Sequence, residues 1–149
     1  MKETKETSID HQLRATWQAV AKMYNEEASK YGSTMATIFL LLTIDKHTGS
    51  ASTSLGPKMG MEATSLSRLL KSMEEKGLIY REKNPNDGRS VLIKLTDFGK
   101  EKRETSKQSV LQFNNTVKQK LSKEEVAVFF KVTATINNLV VNKKIFNNI

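Results

Sequence analysis

The sequence predicts a mainly α, α+β fold: about six helices with one two-stranded β-hairpin between the fourth and the fifth. Three observations carry this expectation. Apolar residues recur at steps of three and four over most of the chain. One stretch, residues 78–96, breaks that rhythm: LIYREK is β-compatible, SVLIKLT alternates, and NPNDG between them has the composition of a turn. Capping residues and glycines fall where the helical rhythm starts and stops.

The first helix is expected from about Ser8 to Lys30, with Ile9, Leu13, Trp17, Val20, Tyr24, Ala28 and Tyr31 as one apolar stripe. Gly32 closes it, and Ser33 is placed to cap the next. That second helix carries IFLLLTI at 38–44, apolar on more than one side as a central helix should be, and is expected to run to Gly49 and Ser50. A short third helix, about Ser54 to Met59 with Thr53 or Ser54 as N-cap, puts Pro57 in a first turn, where no intrahelical N–H is needed. Gly60 breaks it. The fourth runs from near Glu62 to Lys76, with Leu66, Leu69, Leu70 and Met73 buried and Gly77 as C-cap. After the hairpin, Thr96 can cap a helix from Asp97 to about Lys120. SKEE at 122–125 is a capping box for a last helix with Val126, Phe129, Phe130, Thr133, Ile136 and Val140 in a stripe. The final NKKIFNNI is expected to fray.

Composition excludes several functions. The 149 residues suit one domain, taken as 1–149. No apolar run approaches the roughly 20 residues of a membrane span, and MKETKETSIDHQ holds no apolar signal region, so no membrane partner and a cytoplasmic location are expected. The absence of cysteine excludes disulfides, thiolate ligands and a thiol nucleophile, and with only two histidines, His11 and His47, neither a metal nor another cofactor is expected. Glu26 and Glu27, or Glu74 and Glu75, are adjacent on helices and point about 100° apart, so they do not form an acid pair. No nucleophile–base–orienter set or phosphate-cradling loop is present, and no enzyme is expected.

The formal net charge is +8, which favours an acidic partner. Residues 1–52 are balanced, whereas 53–103 hold eleven Lys/Arg against seven Asp/Glu. This basic stretch contains a short helix, a glycine turn and a second helix, followed directly by the hairpin. That succession is a winged helix-turn-helix, spanning 50–96. Its second helix is shaped for the major groove of B-DNA, and its hairpin for the backbone and neighbouring minor groove. Thr64, Ser65 and Ser67 are short donors and acceptors suited to phosphates or base edges, and Arg68 to guanine or a phosphate. Lys71 serves as a phosphate contact or as a solvated charge. Arg89, just past the turn, is placed to reach a narrow groove, with Pro85, Asn86 and Asp87 stiffening its support. Glu62 suits the helix dipole.

The segment SLSRLLKSMEEKGLIYREKNPNDGRSVLIKLTDFGKE, 65–101, resembles the MarR family of bacterial transcription regulators. The serine and arginine of the recognition helix, EEKGLI, a D-x-R wing and a strand ending LTxxG carry the resemblance. It implies an ion pair between Asp87 and Arg89 that orients the arginine, with Gly88 standing where the family often has a second basic residue. It also implies a homodimer on a palindromic site in double-stranded DNA, joined through a helical region at 8–48 and 97–149. Finally, it implies release by a small aromatic or anionic effector, with Trp17, Met23, Tyr24, Tyr31, Met35 and Phe39 as candidate lining; core packing is the competing role for most of these. The rival readings of the whole chain are an architectural DNA binder without sequence preference and a winged helix that binds protein.

Overall fold

Ser8 starts the first helix as expected, its Oγ accepting the His11 N–H at 3.3 Å. The computed structural model describes residues 7–147 and contains, in chain order, α1 (Ile9–Ser29), α2 (Met35–Thr43), β1 (Ser50–Ala51), α3 (Ser52–Met59), α4 (Ala63–Glu75), β2 (Ile79–Lys83), β3 (Val91–Leu95), α5 (Asp97–Gln119) and α6 (Lys123–Val141). The amino-terminal residues 1–6, read above for a targeting signal, and the last two of the segment expected to fray lie outside the described residues. The chain divides into two compact units, Met1–Lys107 and Gln108–Ile149, with the boundary inside α5.

In the first unit the core gathers Leu40, Leu41 and Ile44 from the α2 region, Leu55 of α3, Leu66, Leu70 and Met73 of α4, and Leu78, Ile79, Ile93 and Leu95 of the sheet. The predicted α4 stripe is therefore the face that seats this helix. The strands pair antiparallel in the order β1–β3–β2, with Ile79 opposite Leu95, Arg81 opposite Ile93 and Lys83 opposite Val91. This register sends Ile93 and Leu95 inward together, as the alternation predicted.

Four local expectations are corrected. Thr34, not Ser33, caps α2, accepting from Thr37 N–H at 3.3 Å, because the Ser33 N–H closes the end of α1 on the Ala28 carbonyl. α2 stops at Thr43 rather than near Gly49. Asp45 turns the chain there, its Oδ1 accepting from the backbone of His47 and Thr48, both at 2.8 Å. Those donors, Thr48 first, hold the Asp45 carboxyl below its usual range. The stabilisation is present above the ordinary carboxylate pKa and is lost as pH falls through the lowered value. The freed residues Ser50 and Ala51 then pair with Ile93 and Leu92, so the sheet has three strands where the hairpin alone predicts two. α3 starts at Ser52, which moves Pro57 out of the first turn and into the helix interior. The carbonyl of Thr53, four residues back, loses its intrahelical donor, and Thr53 is an exposed residue.

Two junctions are built as the sequence indicates. α4 ends in a Schellman motif: Gly77 has φ +74°, its N–H reaches the Glu74 carbonyl at 3.0 Å, and the Leu78 N–H reaches the Met73 carbonyl at 2.9 Å. Thr96 caps α5 through Gly99 N–H at 2.9 Å while its own N–H binds the Leu78 carbonyl at 3.1 Å. In the second unit the Ser122–Glu125 capping box closes in both directions, at 3.0 and 2.9 Å. α6 does not fray directly at Asn142. Lys143, at φ 55°, and Lys144 return their N–H groups to Val140 and Leu139 at 3.1 and 2.9 Å, and residues 142–146 form a turn.

Gly99 lies so close to the first strand of the wing that a Cβ there would overlap the Leu78 carbonyl oxygen. Gly99→Ala is therefore expected to destabilise the chain by about 1–3 kcal/mol through overpacking against backbone that cannot give. A thermal melt followed by circular dichroism checks this; a Tm equal to that of the unmodified chain would contradict it.

Candidate nucleic-acid interface

α4 buries Leu66, Leu70 and Met73 and so turns its remaining faces outward. Thr64, Ser65, Ser67, Arg68 and Lys71 are all exposed. Among the described residues none of these side chains is engaged in a hydrogen bond or ion pair, which leaves their donors and acceptors available for another molecule. Glu62 occupies the N-cap position of α4, but its side chain makes no capping hydrogen bond. Its carboxylate adds charge near the positive helix end without filling a backbone donor.

The wing is held at its neck by a residue that the sequence reading undervalued. Asn84 is buried, donates from Nδ2 to Ser90 Oγ at 3.0 Å, and accepts the Asn86 N–H on Oδ1 at 3.0 Å. One amide thus ties the two strand ends together and starts the turn. The signal was present in the turn composition, but a buried amide cannot be told from an exposed one by composition alone. Beyond the neck, Pro85 to Arg89 are exposed. The Asp87 carboxylate takes the backbone N–H of Arg89 at 2.9 Å instead of its guanidinium, so the implied ion pair does not form among the described residues. An Asx turn at that spacing satisfies the carboxylate locally and leaves the arginine head free.

Two acidic side chains of this lobe are matched by cations, whereas Glu62 and Glu75 have no cation partner among the described residues. Glu74 pairs with Arg81 at 3.4 Å across the α4–β2 junction, and Glu82 pairs with Lys94 across the wing strands. The hydrogen bond to Glu82 raises the Lys94 pKa, keeping that partner charged. Arg68 and Lys71 on the helix and Arg89 on the wing have no such carboxylate partner among the described residues.

The aromatic candidates do not converge in the same way. Tyr24 is buried and packs edge to face on Phe39, ring centroids 5.3 Å apart, and burial pushes its phenol pKa up. Met35 is half-buried, whereas Trp17 is 54% and Tyr31 66% exposed. Met23, on the same helix, is also exposed. The structure joins Tyr24 and Phe39 and leaves the tryptophan and the second tyrosine outside that contact. Among the described residues no helix is long and apolar enough to cross a membrane, and no group of three or more His, Cys, Asp or Glu gathers as metal ligands.

The model of the MarR family matches residues 34–91, which contain α2 to the start of β3. An uncharacterized HTH-type transcriptional regulator, YdgJ, of Bacillus subtilis (strain 168) is 34% identical over 103 residues, covering 68% of this chain and 63% of that protein. The match thus spans somewhat under two thirds of that curated relative. A mutant MarR from E. coli complexed with operator DNA has a similar structure, with a TM-score of 0.78 and 25% identity over 91% of this chain and 99% of that one. The PcaV transcriptional regulator from Streptomyces coelicolor, in complex with its natural ligand, shares the fold with a TM-score of 0.79 at 21% identity, covering 94% and 99% of the two chains.

Because Asn84 holds both sides of the wing neck, Asn84→Ala is expected to cost about 1–3 kcal/mol locally, leaving Ser90 and the Asn86 N–H short of a partner. Amide exchange should accelerate at residues 84–91 and stay unchanged at Leu66–Met73. Unchanged exchange across the wing would contradict the assigned role.

Proposed function

The chain belongs to the MarR family of winged helix-turn-helix proteins, and from that premise we propose that it regulates transcription by binding double-stranded DNA sequence-specifically, as a homodimer on a palindromic operator in the cytoplasm. The observation that carries this reading is a set of exposed, unpaired cations on α4 and the wing. Glu74 and Glu82 are paired with Arg81 and Lys94, while Arg68, Lys71 and Arg89 have no carboxylate partner among the described residues. A duplex supplies the missing anions. α4 enters the major groove with Thr64, Ser65 and Ser67 leading and Arg68 behind them, and Lys71 meets the backbone. Asp87 shapes the turn, and Arg89 reaches from the wing into the adjoining minor groove. The lobe is residues 50–96.

The homodimer rests on apolar surface that each unit leaves open. In α1 only Tyr24 and Ala28 are buried, while Ile9, Leu13 and Trp17 are exposed. α6 buries no residue at all, and Phe129, Phe130, Val140 and Val141 all stand in solvent. A second copy covers these faces through the region 8–48 and 97–149, and two lobes on a twofold axis read two half-sites. By likeness to the ligand-bound relative, the proposal extends to release by a small aromatic or anionic molecule, with Trp17, Tyr24, Tyr31, Met35 and Phe39 at its site. Such a molecule acts only by binding the free and DNA-bound arrangements with different affinity.

Selection from a random duplex pool, followed by a salt titration on the selected and a scrambled duplex, tests the reading. A palindrome with a steep salt slope is expected. A steep slope without preference makes the chain an architectural binder, and no slope makes it a protein-binding module. Arg89→Ala should weaken binding to all sequences and lower the salt slope by about 0.9 per lost contact. Arg68→Ala should cost about 1–3 kcal/mol at one base position if it reads guanine; uniform weakening makes it a phosphate contact. Phe129→Glu with Phe130→Glu should yield monomers in light scattering and much weaker operator binding. An intact dimer would contradict the assigned interface.

A further inference from the structure

We propose that the Asp87–Gly88 bond is a site of spontaneous aspartyl-to-isoaspartyl isomerisation, and that this conversion withdraws Arg89 from DNA. The second half rests on the DNA-binding reading above; the first does not. Of the seven glycines in the chain, only Gly88 follows an aspartate, and none follows an asparagine.

Three features favour reaction here. Glycine has no Cβ to shield its amide nitrogen, and nothing lies within 4 Å of where a Cβ on Gly88 would stand. Asp87, Gly88 and Arg89 are all exposed, beyond the last paired strand residues, Lys83 and Val91. The Asp87 side chain is folded back across the Gly88 peptide, its Oδ1 accepting from Arg89 N–H at 2.9 Å. This hydrogen bond closes an Asx turn in which the Asp87 carboxyl spans the Gly88 residue.

The chemistry needs nothing but water. The Gly88 nitrogen gives up its proton and bonds to Cγ of the Asp87 carboxyl in its acid form, whose hydroxyl leaves with that proton as water. The product is a five-membered imide. Water then adds to one imide carbonyl and breaks its bond to nitrogen. Opening at Cγ restores aspartate; opening at the main-chain carbonyl leaves the chain running through Cβ and Cγ. One water is lost and one regained, so the mass is unchanged.

The consequence follows from which atoms exchange roles. In the native turn the main-chain carbonyl of Asp87 accepts from Ser90 N–H at 3.3 Å and Oδ1 accepts from Arg89 N–H. After isomerisation the first oxygen belongs to a free carboxylate and the second to a lengthened peptide. Both bonds that set the direction of Arg89 are rebuilt around an extra methylene. A carboxylate one atom nearer the main chain also faces the anionic groove.

The full-length chain is incubated at physiological temperature and pH and digested with trypsin, which releases residues 84–89 as one peptide. Two separable species of equal mass are expected for that peptide, with a transient form one water lighter. Peptides carrying Asp10, Asp45 and Asp97, each followed by a larger residue, serve as internal controls and should stay single. Gly88→Ala should suppress the second species. Binding of the isomerised fraction to the selected duplex should fall by about tenfold or more, the equivalent of one lost charge-assisted contact. A single peptide species after prolonged incubation would overturn the proposal, and so would isomerisation without loss of affinity. If fresh protein selects no duplex, the DNA reading fails while the peptide map still reports on the bond.

Discussion

Leu78 meets three elements within one residue. Its N–H closes the end of α4 on Met73, its carbonyl receives Thr96 N–H, and that same carbonyl is the surface against which Gly99 packs. Thr96 completes the corner by donating its hydroxyl to Gly77 and capping α5 through Gly99. The recognition helix, the wing and the first turn of α5 are thereby fixed to a single stretch of backbone. A helix and a hairpin joined by a flexible linker could each bind DNA, but only with added cost in ordering. Here the corner sets their relation before any partner arrives, and the apolar core beneath, from Leu66 to Leu95, holds it from below.

Given that geometry, electrostatics decides what the surface is for. Two ion pairs remove Glu74 and Glu82 from contention and use Arg81 and Lys94 to do it. At this degree of exposure such pairs add little stability. Their larger effect is on the field: two carboxylates of the lobe that would repel a phosphate are screened, while Arg68, Lys71 and Arg89 stay exposed on α4 and the wing. The wing neck adds rigidity through Asn84. The Asx turn at Asp87 engages the carboxylate with backbone and leaves the Arg89 guanidinium without it. Stiff support for a free cation is the arrangement that loses least entropy on docking.

Much of this was legible in the sequence because it is written in local codes. Gly77 after a helical stripe, Thr96 before Asp97, and Ser122 with Glu125 each specify a cap within four residues, and all three form. The alternation at 91–95 and the stripe of α4 likewise predict which side chains go inside. What failed was set by distant partners. β1 is two residues long and has no periodicity; it exists because β3 offers a free edge. α3 starts two residues earlier than expected, directly after that strand, and this places Pro57 inside the helix. The burial of Asn84 and the choice of Asp87 for backbone over guanidinium also depend on how the hairpin closes. The apolar stripes of α1 and α6 were visible in the sequence and are extensively exposed within the single chain.

The central claim is that α4 and the wing act as one preset surface against a duplex. Amide hydrogen exchange on the full-length chain, with and without the palindromic duplex it selects, measures this most directly. The account predicts that residues 63–71 and 84–91 gain protection together, at the same duplex concentration, while the caps at Gly77 and Thr96 are already slow in the free protein. Protection of one segment without the other, or a junction that becomes ordered only when DNA is added, would contradict it.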